Sequence, residues 1–156
     1  MPAVTRRFVV SVFAAMAAAS WAPLGWAGEH ASKEEAVAMV KKAIAQYKSQ
    51  GKDKTLADIN AKSPAYFDRD LYVYVATLDG VAVAHAANPK LVSKNLSQLK
   101  DADGVAFVEQ IISVAKAGKP GWVDYKWPNP VTKQIDEKTT YVESFDGHAF
   151  CAGIYR

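Results

Sequence analysis

Residues 71–86 read LYVYVATLDGVAVAHA, and this stretch decides the fold class. Tyr72, Val73, Tyr74 and Val75 form an unbroken run of β-formers, Asp79-Gly80 is a two-residue type I′ turn signal, and the chain returns through 81–86. A hairpin about that turn sets Tyr74 opposite His85 and Ala76 opposite Val83 on one face. The other face carries Val73, Val75, Ala82 and Ala84. Both faces are apolar, so the spacing predicts that both are covered.

On the N-terminal side, Ser32 and Glu35 form the S-x-x-E capping pattern. Val37, Val40, Ala43, Ile44 and Tyr47 follow at helical spacing, and Gly51 supplies the stop. A shorter helix is predicted next, with Thr55 as its cap, Leu56 and Ile59 facing inward, and Ser63-Pro64 ending it. On the C-terminal side a polar connection runs from Asn88 to Asp103. Connections of that length inside a domain are uncommon without a task. Asp103-Gly104 is read as the start of another helix, Asp103 capping it, with Phe107, Val108, Ile111, Ile112 and Ala115 on one side and Gly118 at the stop. Strands are predicted at 121–127, 138–145 and 148–155, the last two joined by a tight turn at Asp146-Gly147.

This order gives an α+β domain: a PAS-like five-stranded antiparallel sheet, a long N-terminal helix on one face and a loop-helix lid on the other. A pocket between sheet and lid is the expected consequence. The domain occupies 34–156, behind a short polar lead at 28–33.

Residues 1–27 read as an export signal. Thr5, Arg6 and Arg7 precede an uncharged apolar run from Phe8 to Ala22, and Gly25-Trp26-Ala27 offers small residues for cleavage after Ala27. The run is short for a membrane span, which needs about 20 apolar residues. The arginine pair leaves both the Sec and the Tat export routes open. The expected location is the periplasm. Losing Arg6 and Arg7 takes 19 basic residues to 17 against 16 acidic ones. With no dense basic run, nucleic-acid binding is disfavoured. A single cysteine, Cys151, makes no intrachain disulfide and reads as a buried, inert thiol.

Several runs together resemble the single Cache domain. They are Asp79-Gly80, Ala84-His85, Asn88-Pro89, Asn95-Leu96, the 99–104 stretch LKDADG, the 121–130 stretch GWVDYKWPNP, Lys138, Tyr141-Val142 and the closing Gly153-Ile-Tyr155. The resemblance spans nearly all of the chain after the leader, and the GWVDYKWPNP run and G-I-Y ending are its specific parts. It implies a PAS-like sheet and extracytoplasmic sensing of small molecules, often carboxylates. Most relatives are sensor regions of chemoreceptors or histidine kinases. The sequence given stops at Arg156 without a second span or an output domain, so the expectation is a freestanding binder.

A carboxylate entering a pocket loses its water and needs donors and a cation in return. Tyr125 and Trp127 share a strand face and offer a phenol and an indole N–H. Lys138 opens the next strand, and His85 and Tyr74 come from the first hairpin. The ligand-binding candidates are therefore His85, Tyr74, Tyr125, Trp127, Lys138 and Tyr141. Taken alone, Tyr125 and Trp127 read as core aromatics, Lys138 as a surface lysine beside Glu137, and His85 as a satisfied core imidazole. The resemblance tilts Tyr125, Trp127 and His85 toward ligand contact and leaves Lys138 evenly placed. His148 is expected to face solvent and His30 to have no role.

The Asp101-Ala-Asp103-Gly104 run lacks the third and closing acids of a calcium loop. No catalytic or phosphate motif is present, no C-x-x-C-H asks for haem, and no metal or other cofactor is called for. The leading expectation is a non-enzymatic binder of a small organic acid. An interaction module for a membrane-bound sensor protein is the alternative, and an enzyme or non-covalent cofactor carrier comes last.

Overall fold

The first helix starts where the capping pattern places it. Ser32 Oγ accepts the Glu35 N–H at 3.2 Å, and the Glu35 carboxylate accepts the Ser32 N–H at 2.7 Å. The computed structural model describes residues 30–156, so the leader and its cleavage after Ala27 lie outside the described residues. Helix α1 (Lys33–Gln50) buries Ala36, Val40, Ala43, Ile44 and Tyr47 and stops at Gly51, whose φ of +87° suits a residue without a β-carbon. Helix α2 (Lys52–Asn60) begins immediately afterwards. Thr55 is not its cap: it is buried inside the helix, and its hydroxyl donates to the Gly51 carbonyl at 2.9 Å.

Six antiparallel strands follow: β1 (Phe67–Asp68), β2 (Leu71–Thr77), β3 (Ala82–His85), β4 (Gly121–Pro128), β5 (Ile135–Phe145) and β6 (His148–Tyr155). They order as β4-β5-β6-β2, with β1 and β3 side by side along the far edge of β2. The strand beyond the expected five is the two-residue β1.

The first hairpin departs from its predicted register in one place. The turn is closed by the Gly80 N–H on the Thr77 carbonyl at 3.0 Å, and Gly80 alone in it has positive φ, +86°. A type I′ turn needs both central residues there, so Asp79-Gly80 is not one. Tyr74 pairs with His85 as expected, but a bulge between Val75 and Ala76 shifts Ala76 onto Ala82 instead of Val83. Ala82 therefore joins the face of Tyr74. Asp146 and Gly147, at φ +48° and +70°, make the tight turn predicted, with Phe145 opposite His148.

Two cores flank the sheet. On one side α1 packs over Val73, Val75, Phe150 and Ala152. On the other, α3 (Phe107–Lys116) packs Phe107, Val108, Ile111 and Ile112 over Val123, Val142 and Cys151. Asp103 does not cap α3, which starts from Ala106 without a side-chain cap. A missing cap costs about 1 kcal/mol. Four large apolar side chains recover roughly 6–12 kcal/mol on burial, so packing holds this helix. Asp103 instead pairs with Lys126 at 2.8 Å. Asp101 staples the loop to β4, accepting the N–H groups of Asp103, Val105 and Lys126 at 2.8–2.9 Å. Those bonds, the one from Lys126 foremost, hold its carboxyl below the usual range.

Two histidines sit differently from expectation. His148 is buried, its Nδ1 2.6 Å from the Asp146 carbonyl and its ring beside Tyr47. His30 Nδ1 lies 2.8 Å from the carboxylate of buried Asp70, which also accepts the Ala31 N–H. These contacts fasten the start of the described chain to the loop before β2.

Candidate ligand site between sheet and lid

The two-residue period of the strands and their register select the residues that face α3. Tyr125 pairs with Lys138, which pairs with Tyr155, and Tyr74 sits between His85 and Cys151. Paired residues point the same way, so β4, β5, β6 and β2 deliver Tyr125 and Trp127, Lys138, Gly153, and Tyr72 and Tyr74 to one hollow. Leu91, Leu96 and Leu99 of the long loop and Phe107 and Val108 of α3 roof it.

Lys138 is the unusual member. It is 3% exposed, and its Nζ donates to Tyr155 Oη at 3.1 Å and rides 3.8 Å above the centre of the Tyr72 ring. Among the described residues no carboxylate pairs with it, and none lines the hollow. Burial pushes its ammonium well below the ordinary lysine range, with Asp70 and Cys151 offsetting only part. Tyr155 Oη also donates to the Pro128 carbonyl at 2.9 Å and lies 3.2 Å from Tyr72 Oη.

Tyr74 carries a buried hydroxyl with no hydrogen-bond partner. Such groups are rare in folded proteins because each forfeits the hydration it had in water. His85 is fixed from behind: its Nδ1 accepts the Asn88 N–H at 3.0 Å, which leaves the proton of the neutral ring on Nε2. Burial first, and the Lys138 charge second, depress His85 to about 3. Its backbone N–H is held by Asn60 Oδ1 at the end of α2. Tyr125 donates to or accepts from Thr140 Oγ1 at 3.0 Å, and burial raises its phenol far above the ordinary value.

The hollow, half open to solvent, offers about 20 Å³, room for one water molecule. Phe107 accounts for much of that closure, stacked on Tyr125 with ring centres 4.2 Å apart and planes 10° from parallel.

Five of the six residues singled out in the sequence therefore share the hollow: Tyr74, His85, Tyr125, Trp127 and Lys138. Tyr141 does not. It lies three residues from Lys138 on the same strand and so faces the α1 side, where it packs on Trp122 and donates to Glu143 at 2.8 Å.

Residues 29–153 match the family described as Cache domain, dCache_2. The chain belongs to the Cache domain family. Named proteins resemble it in sequence and in shape. Methyl-accepting chemotaxis protein McpP of Pseudomonas putida is 33% identical over 91 residues, which are 57% of this chain and 17% of the receptor. Sensor histidine kinase MctS of Rhizobium johnstonii is 35% identical over 80 residues, 51% of this chain and 17% of the kinase. This chain thus spans less than a fifth of either relative.

Among solved structures, a methyl-accepting chemotaxis protein from Vibrio parahaemolyticus superimposes with a TM-score of 0.69 at 26% identity, covering 79% of this chain and 87% of that one. A Cache chemosensory domain described for carboxylic acid recognition does so at 0.62 and 25%, covering 78% and 86%. By their names these relatives are chemoreceptors, a chemosensory domain and a sensor kinase.

In this Cache domain, the candidates read from the sequence pass over Tyr72 and Gly153 of the hollow and over Tyr155, which bonds Lys138. Tyr72 shares a face with Tyr74 by simple alternation, which was available as a signal. Tyr155 and Gly153 reach the site only through the β5–β6 register, which no local pattern announces.

Proposed function

We propose that this Cache domain binds a small organic anion, a carboxylate first of all, on the periplasmic side of the membrane. The observation that carries this reading is Lys138, a buried amine that pairs with no carboxylate among the described residues and lines the same hollow as the unpaired Tyr74 hydroxyl. A carboxylate between them supplies the missing counter-charge and the missing acceptor together. His85 Nε2–H adds a donor, and Tyr72, Tyr125 and Trp127 provide aromatic walls. The likeness to a domain that recognises carboxylic acid supports the same ligand class. The basic-then-apolar leader supports export, and the chemoreceptor and kinase relatives support a membrane-bound sensor as the partner of the signal.

A carboxylate of two to four carbons exceeds 20 Å³, so binding requires Phe107 and the leucines of the loop to move outward. In that roof Leu96 is held by its N–H on the Gly80 carbonyl at 2.8 Å, beside the Val81–Asn95 bridge, so the opening falls mainly to Leu91, Leu99 and Phe107.

The test is Lys138→Met. Replacing a buried charge by an apolar chain of similar length is neutral or stabilising. The variant should therefore melt at or above the wild-type temperature without ligand, and should lose the rise that millimolar acetate, propionate or butyrate gives the wild type. A wild type whose melting ignores all three acids ends the carboxylate reading.

A further inference from the structure

A second, larger chamber adjoins the first. It measures about 240 Å³, is likewise half open, and shares Tyr72, His85 and Trp127 with the hollow. Its far side is the loop after β4, Pro128-Asn129-Pro130, together with Lys133.

Asn129 is the informative residue. It is 1% exposed, yet its Nδ2 has no hydrogen-bond partner. The orientation of the amide is set by its other end, because Oδ1 accepts the N–H groups of Val131 at 2.9 Å and Thr132 at 3.4 Å. The two donors of the NH2 group are thus turned away from the loop's own needs. Pro128 and Pro130 have no N–H, so the amide is the donor this turn presents. Lys133 adds a positive charge bonded to the Pro130 carbonyl, and among the described residues no acid lines the chamber.

The two sites are close. Tyr155 Oη touches both Lys138 Nζ and the Pro128 carbonyl, so the cation of the inner hollow and the start of the Asn129 turn stand two hydrogen bonds apart.

We infer that the outer chamber is a second anion subsite, and that the ligand is a short dicarboxylate held by Lys138 and Tyr74 at one end and by Asn129 Nδ2 and Lys133 at the other. This rests on the carboxylate reading of the inner hollow and extends it. A buried amide donor left unpaired costs stability, and a second carboxylate at the chamber is the acceptor that recovers it.

Titration calorimetry with succinate and butyrate, equal in carbon count, tests the assignment on the chain from residue 28 onward. Wild type should bind succinate at least tenfold tighter than butyrate. Asn129→Ser keeps an oxygen for the turn and removes the amide donor, so the ratio should fall to within twofold while butyrate affinity stays unchanged. Asn129→Asp keeps Oδ1 and puts a negative charge where the donor was, and should bind butyrate better than succinate. Equal wild-type affinities, or an Asn129→Ser that weakens both acids alike, overturns the outer subsite and leaves the inner one standing. Binding of neither acid overturns both.

Discussion

The side chain of Lys138 crosses β6 over Gly153, with its Cε 2.5 Å from where a β-carbon on that residue would stand. Gly153 is paired with Thr140, whose hydroxyl crowds the same spot. The glycine is thus a trough that lets a lysine from β5 reach past β6 and set its ammonium over the Tyr72 ring on β2. Its value is steric clearance, and the strand conformation is one any residue adopts.

Gly153→Ala should therefore act on the site and on stability together. Overpacking of this kind costs about 1–3 kcal/mol, read as a lower melting temperature. The displaced ammonium should also lose its ring contact, so the melting rise given by propionate disappears. A variant that keeps both the wild-type melting point and the propionate response would show that Lys138 does not need the trough.

Much of this arrangement was open to the sequence, and what was hidden has identifiable causes. Capping chemistry placed α1, and alternation with turn signals placed β2 to β6. Alternation alone also separates Lys138 from Tyr141, since three residues along a strand reverse the face; grouping them as one site ignored that rule. Other features have no local signature. The bulge at Val75 depends on how the turn after Thr77 closes, and Asp101 reads as a surface acid until the loop brings Lys126 to it. Phe107 fits the apolar stripe of α3, and nothing in that stripe shows that its ring also roofs a hollow.

Removing that ring should separate the cost of closure from the cost of binding. Phe107→Ala is expected to destabilise the protein by roughly 3–5 kcal/mol, the usual range for a buried phenylalanine. The ring no longer has to be displaced from Tyr125, so saturating propionate should raise the melting temperature of the variant more than that of wild type. An equal or smaller rise would mean that the roof opens without moving Phe107.

The acid limb of stability should carry the mark of His85. Its ordinary value of 6.5 holds in the unfolded chain, and about 3 holds in the fold. Between those values the unfolded state binds the extra proton, so the His85 contribution is complete above pH 6.5 and is lost as pH falls toward 3. The slope approaches about 1.4 kcal/mol per pH unit within the window. Denaturant melts at pH 7 and 5 should show the loss, and His85→Gln should reduce it. The imidazole signals of His85 should stay those of a neutral ring at pH 5; a midpoint near 6.5 would contradict this burial.

Lys138 sets the opposite expectation for binding. Its folded value lies well below that of a free lysine because the ammonium is buried without a counter-ion. An organic anion arriving beside it restores the charged form and raises that value. Binding then takes up a proton at any pH between the unbound and bound values, and affinity falls as pH rises through that interval, since the proton must be captured from an ever scarcer supply. Calorimetric titrations of propionate in two buffers of different ionisation enthalpy measure this directly. The wild type should take up protons on binding, and Lys138→Met should take up none. Proton release, or uptake that survives the methionine, would place the anion away from this lysine.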